Sequence, residues 1–319
     1  MQTFHDKMRH HFIYGIVIHM RLAITGTSGF VGTHLLQKLA QHSIVQLKHK
    51  QIMNNASGTP EQLLHALLHE TEACIHLAGR AHIMKDSGDN PYQAYLEANV
   101  TYTKLLAEAA VSAGVKRFIY ISSIKVNGEG TFGTPFTADD RPNPQDDYGK
   151  TKLLAEQALL ELHEQGKIEV VIIRPPLIYG PDVKGNLATL SKAIEKRIPL
   201  PLTGIKDNKR NLVALDNLCD LIEACLVHPN AAGEIFLVSD DQTISTSQLC
   251  ELIAQGKNTR LIGLPIPVAL LKFASKLTGK TAAVSRLIGD LEVDITKNKE
   301  LLDWQPIDTT EKLLPKAFL

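Results

Sequence analysis

The chain lacks most of the patterns that assign a function at sight. Its four cysteines, Cys74, Cys219, Cys225 and Cys250, are scattered along 319 residues with no CxxC pair. That spacing excludes a zinc ribbon and a dithiol motif, and it suits free thiols in a reducing cytoplasm. Thirteen histidines include no HExxH or comparable spacing, so no metal is expected. Excess charge of either sign is missing: 34 Lys and Arg balance 34 Asp and Glu, and no nucleic acid partner is expected. The apolar run at 12–18, behind basic residues, is too short to cross a bilayer and has no small-x-small cleavage site. No membrane partner is expected either, and residues 1–19 are read as an extension outside the fold.

What is present is a chain that is 44% hydrophobic, enough for a sizeable core. Short apolar runs predict strands at 22–25, 44–47, 73–77, 118–122 and 170–174. Longer periodic stretches predict helices at 31–41, 60–69, 92–113 and 148–165. The strand runs do not alternate with polar residues, which suits a parallel sheet covered on both faces. The expectation is an α/β fold, a Rossmann-type doubly wound parallel sheet over 20–174. From Pro175 on, prolines break the pattern, and helices are predicted at 187–196, 216–226, 246–255 and 268–277. One strand-like stretch, 235–238, can return to the sheet. Residues 175–319 are therefore read as a smaller, mostly helical substrate domain.

"ITGTSGFVG" sets Gly26, Gly29 and Gly32 between the first strand and the first helix. Glycines there allow a tight turn, let a pyrophosphate approach the backbone, and let helix and strand pack closely. The helix N-terminus, opened by Phe30 and Val31, offers free N–H groups to phosphate. The carboxylate that usually takes a ribose hydroxyl of NAD is absent, since no acid occurs between Gly32 and Glu61. Lys48 and Lys50 stand in that region and suit a 2′-phosphate instead. NAD and NADP both stay open.

"YGKTK" puts Tyr148 and Lys152 four apart on one face of a helix. A phenol beside an ammonium is an acid/base pair, because the cation stabilises phenolate and lowers the phenol pKa. "YISSIKVNGE" ends an apolar strand in Ser122 and Ser123, where a hydroxyl can hold the same substrate oxygen.

With these motifs in this order, the chain resembles the extended short-chain dehydrogenase/reductase family, in its nucleotide-sugar epimerase/dehydratase group. The likeness runs from Leu22 to about Pro306. It rests on "GTSGFVG", "IHLAG", Asn99 in "EANV", "SSIKVNGE", "YGKTK", "RPPLIYGP" and "LLDWQP". The resemblance implies that Ser123, Tyr148 and Lys152 are catalytic. It places Leu77, Ala78, Gly79, Asn99 and Ser122, with Tyr148 and Lys152, on the cofactor side. Asn186, Leu187 and Arg210 match segments that meet the nucleotide diphosphate, and a homodimer is implied.

Dehydratases of this group carry an Asp-Glu pair after the catalytic hydroxyl residue. Here those positions are Ile124 and Lys125; the first cannot move a proton, and Lys125 is placed among the substrate residues instead. A 4-epimerase or a 4-keto-sugar reductase acting on a UDP-hexose, for surface polysaccharide biosynthesis, is the expected activity. A dehydratase and a non-catalytic dinucleotide sensor are the alternatives.

Overall fold

The computed structural model describes residues 19–54, 58–80, 90–279 and 281–319. All but the last residue of the N-terminal extension lies outside them. Among the described residues the strands are β1 (Arg21–Thr25), β2 (Ser43–Leu47), β3 (Ala73–His76), β4 (Arg117–Ile121), β5 (Glu169–Arg174), β6 (Leu177–Tyr179), β7 (Arg210–Ala214), β8 (Ile235–Leu237) and β9 (Thr243–Ile244). Six of them form one sheet in the order β2-β1-β3-β4-β5-β8, and every pairing in it is parallel.

Successive side chains of these strands feed opposite faces. Ile24, Ile119, Ile173 and Phe236 pack with Leu35 and Leu39, with Leu218 and Ile222, and with Trp304. Ala23, Phe118, Tyr120 and Ile172 pack on the other face with Leu64, Leu106 and Leu159. Because both faces are buried, the strand sequences carry no polar alternation, which is why they are legible as short apolar runs.

The helix Leu215–Val227, beyond the expected boundary at 174, lies beside the helix Phe30–Lys38. Lys38 Nζ reaches Asp220 at 3.1 Å and His34 Nε2 reaches Asp216 at 2.7 Å. The late strand that the sequence allowed to return is β8, the sixth strand of the sheet.

The remaining C-terminal region departs from the mostly helical expectation. Strands β6, β7 and β9 form a second sheet, parallel between β6 and β7 and antiparallel between β7 and β9. Tyr179, Leu187, Leu212, Ile244, Leu249 and Leu314 make its core. Strand β7 escaped the sequence reading because its last residue adjoins Leu215 of the next helix, so no turn residue separates the two patterns.

The helix expected over 92–113 is broken in its middle. Pro91–Leu96 is α-helical, Glu97–Thr101 forms a π turn, and Tyr102–Ser112 resumes the α-helix. A π turn marks a residue that ordinary helical spacing would misplace, and here it carries buried Asn99. Among the described residues, no helix is long and apolar enough to cross a membrane.

Candidate active site

The chain leaves β1, forms β2 on one side, and then crosses back to form β3 on the other. Strand order therefore reverses between β1 and β3, and a crevice opens beyond their C-terminal ends, the usual ligand position in such sheets. Gly26 follows β1 with φ +71° and accepts the N–H of Gly29 at 2.9 Å. A Cβ on Gly26 would lie 2.8 Å from the Ala78 nitrogen, and one on Gly32 would lie 2.2 Å from the Gly26 oxygen. Side chains are excluded at both positions, so the floor of the crevice is bare backbone at the start of the helix Phe30–Lys38. Val31 packs its side chain toward the sheet core, leaving the first-turn N–H groups of that helix to face a phosphate.

Leu77, Ala78 and Gly79 extend from β3 across the same crevice. The Ala78 N–H donates to Thr25 Oγ1 at 3.0 Å, which ties the two strand ends together. A Cβ on Gly79 would meet Asn99 Oδ1 at 3.1 Å and Lys152 Nζ at 3.9 Å. Asn99 accepts from the Arg80 N–H at 2.7 Å and donates to Thr151 Oγ1 at 3.1 Å. These contacts bring the "HLAG" stretch, Asn99 and Lys152 together, as the sequence predicts. Lys48 follows β2 as the N-cap of the helix His49–Met53 and is exposed.

Ser122 and Ser123 lie just beyond β4. The Ser122 hydroxyl is buried and has no partner among the described residues, an unspent hydrogen-bonding group beside the crevice. Ser123 caps the short 3-10 turn Ile124–Val126 and hydrogen-bonds Tyr148. Tyr148 is in the first turn of the helix Asp147–Glu164, whose N-cap, Asp146, accepts the Gly149 N–H at 2.8 Å.

Lys152 is one turn further on and almost wholly buried. Its Nζ donates to the Ile121 carbonyl at 2.7 Å and stands 4.0 Å from the Tyr120 ring centroid. Burial pulls its pKa down to about 7 against the opposing attraction of Glu156. Tyr148 is pushed up to about 12, chiefly by burial, with the Ser123 hydrogen bond opposing and Asp146 and Tyr95 adding to the rise. The sequence expectation was a phenol lowered by its lysine. In the structure the ammonium is aimed at the end of β4, and the phenol rises.

His76, whose role the sequence reading missed, organises this region. Its ring joins Thr25 Oγ1 at 2.6 Å and Thr103 Oγ1 at 2.9 Å. Thr103 donates to the Asn99 carbonyl at 2.8 Å, and Thr151, the partner of Asn99, donates to the Tyr148 carbonyl at 3.0 Å. Burial first, and Lys152 second, push His76 down to about 3, so a neutral imidazole links the glycine loop to the helix of Tyr148. A polar residue inside "ACIHLAG" was the available signal.

The expected substrate residues are less uniform. Asn186 is exposed in the first turn of the helix Gly185–Glu195, whereas the Leu187 side chain is packed in the smaller core. Lys125 Nζ pairs with Glu129 at 2.8 Å and with Asp146. Arg210 donates to the carbonyls of Arg286 and Gly289 at the end of the helix Thr281–Ile288. Arg286, a lone arginine in an apolar helix and overlooked in the sequence, sits 3.6 Å from Glu129. Glu129 thus lies between Lys125 and Arg286, joining the β4 end to the C-terminal region.

A profile of the NAD dependent epimerase/dehydratase family matches residues 22–239. The chain belongs to that family. It binds NAD(P) as the family does, and the bare-backbone loop and unpartnered Ser122 hydroxyl suit that group. A Vibrio cholerae member of the family, a UDP-glucose 4-epimerase, is 42% identical over 93% of this chain and 95% of its own length. Among solved structures, RMD from Pseudomonas aeruginosa complexed with NADPH covers 94% of this chain and 98% of its own, with TM-score 0.74 and 23% identity. UDP-glucuronic acid 4-epimerase from Bacillus cereus in complex with NAD covers 94% and 95%, with TM-score 0.74 and 20% identity. At such identities the two establish the shared fold.

Proposed function

We propose that the chain is an NAD(P)-dependent 4-epimerase of a UDP-hexose. The observation that carries this reading is the meeting of Ser123, Tyr148 and Lys152 at the C-terminal end of β4, beside the glycine loop. The Vibrio cholerae relative supports the substrate class. Nicotinamide, when bound, supplies the acceptor and later the donor of the hydride at C4. Tyr148 takes the proton of the C4 hydroxyl and returns it, a general acid/base task. Ser123 holds the phenol and the sugar oxygen in line. For that task the Tyr148 pKa must fall from about 12, and Lys152, one turn away, is the cation able to lower it.

Dehydration needs a further acid and base, and neither neighbour of the serine supports it. Ile124 is buried in the core, and Lys125 is engaged by Glu129 and Asp146. Residues 20–174 act as the dinucleotide part and 175–319 as the nucleotide-sugar part, with the region 215–237 lent back to the first. Arg210, Asn186 and the backbone at Leu187, with Lys125 at the rim, meet the nucleotide diphosphate. The working form is a cytoplasmic homodimer serving polysaccharide biosynthesis.

Purified protein incubated with single UDP-hexoses provides the test. Interconversion of C4 epimers without net cofactor consumption is expected. Stoichiometric oxidation of NADPH by a 4-keto sugar, with no epimer formed, would replace this reading by a reductase.

A further inference from the structure

The helix Val268–Leu277 is packed inside out. Ser275 is its only buried residue, while Leu270 is 54%, Phe273 60% and Leu277 74% exposed. At about 100° per residue these three fall on one stripe, and Ser275 lies on the opposite side. Ile262 and Leu264, in the segment leading into the helix, are exposed too. An ordinary surface helix turns its apolar stripe to the core. This one turns it to solvent, as contiguous apolar patches do at binding surfaces.

The charge along this stretch of the sequence has one sign. Between Glu251 and Asp290 every charged residue is a cation: Lys257, Arg260, Lys272, Lys276, Lys280 and Arg286. Lys272 and Lys276, four apart and exposed, run along one border of the stripe. From there long side chains can reach headgroups while the stripe enters the acyl boundary.

We propose that this face docks on an anionic lipid bilayer. It is an interfacial contact, parallel to the surface, and among the described residues no helix is long and apolar enough to cross. A second copy of the chain is the poorer occupant, because two-fold pairing through this face sets Lys272 and Lys276 against their own counterparts. The sequence expectation of no membrane partner rested on the lack of a spanning run, which does not measure a local surface. The helix Thr281–Ile288 packs against the docking helix and receives Arg210 at its C-terminal end.

Flotation of the full chain with vesicles tests it. Binding is expected to phosphatidylcholine vesicles that contain phosphatidylglycerol, falling as salt rises, with little binding to phosphatidylcholine alone. The double variant Lys272→Glu/Lys276→Glu should lose about tenfold or more in partition. Phe273→Ser/Leu277→Ser should lose at least as much, with thermal unfolding unchanged for these exposed positions. No binding to either vesicle at low salt, or binding that survives both variants, overturns the proposal. So does self-association that the Phe273→Ser/Leu277→Ser variant abolishes in a chain that does not float.

Discussion

Lys152 holds its ammonium over the face of the Tyr120 ring, 4.0 Å from the centroid, and donates to the carbonyl of the next residue, Ile121. A cation is thereby kept inside the protein by a π face and a single carbonyl. This is weak compensation for its lost hydration, and its pKa drops from 10.5 to about 7.

The stability of the protein should record that drop. Below about pH 7 the ammonium is charged in the folded and unfolded chains alike, and the burial cost is fully present. Between about 7 and 10.5 the unfolded chain binds a proton that the folded chain does not, so stability rises with pH. Lys152→Met should remove this contribution, of at most about 5 kcal/mol. Denaturant unfolding of both proteins across this range is expected to give curves that converge as pH rises, with the variant the more stable at pH 7.

Removing the phenol should stop proton transfer without disturbing the fold. Tyr148→Phe is expected to reduce epimer interconversion by about 10²- to 10⁴-fold, with an unchanged circular dichroism spectrum. Turnover at the wild-type rate would remove Tyr148 from the chemistry.

His76 is a connector, and its loss should be felt as stability. His76→Leu leaves the hydroxyls of Thr25 and Thr103 buried without the partners they now have at 2.6 and 2.9 Å. Thr25 keeps the Ala78 N–H and Thr103 keeps the Asn99 carbonyl, so a cost of about 1–3 kcal/mol in urea unfolding is expected. A stability equal to the wild type would mean that both hydroxyls find other partners.

Arg174 and Glu156 form a bidentate pair, Nε to Oε1 at 2.9 Å and Nη2 to Oε2 at 2.6 Å, with both side chains almost fully buried. Glu156→Gln leaves the buried guanidinium without a compensating charge and should cost about 3–5 kcal/mol in chemical denaturation. Arg174 also donates to Asn127 Oδ1 at 3.0 Å, so the same variant should loosen the segment that carries Ser123 and lower turnover beyond the change in stability.

We propose that Lys48, exposed just beyond β2, sets the cofactor preference. Lys48→Glu is expected to weaken NADPH binding about tenfold and to change NADH binding by less than about twofold, because only the 2′-phosphate meets the lysine. Fluorescence titration with each cofactor reads both numbers, and equal losses would show that Lys48 does not discriminate.

The sheet was legible because strands buried on both faces must be apolar throughout, as "RFIYI" and "VVIIR" are. The smaller sheet was not, since β9 has two residues and β7 runs into a helix without a turn. Motif residues with a local signature, such as Gly26, Tyr148 and Lys152, were readable for the same reason that they are clustered. Others take their meaning from distant partners. Asn127 and Arg174 belong to two recognisable motifs, yet their contact exists only once β4, β5 and the helix Asp147–Glu164 are packed. The Lys125–Asp146 pair and the place of Arg286 beside Glu129 likewise arise from tertiary assembly.

Strand β8 pairs with β5 only after the chain has made β6, β7 and the helix Leu215–Val227. On the ribosome, the first five strands emerge with the outer N–H and C=O groups of β5 unpaired, an open template for other chains. That edge closes when residues 235–237 leave the exit tunnel. Translation past this point is thus a protective step in the biogenesis of the protein, and a nascent chain stalled before it carries an adhesive border.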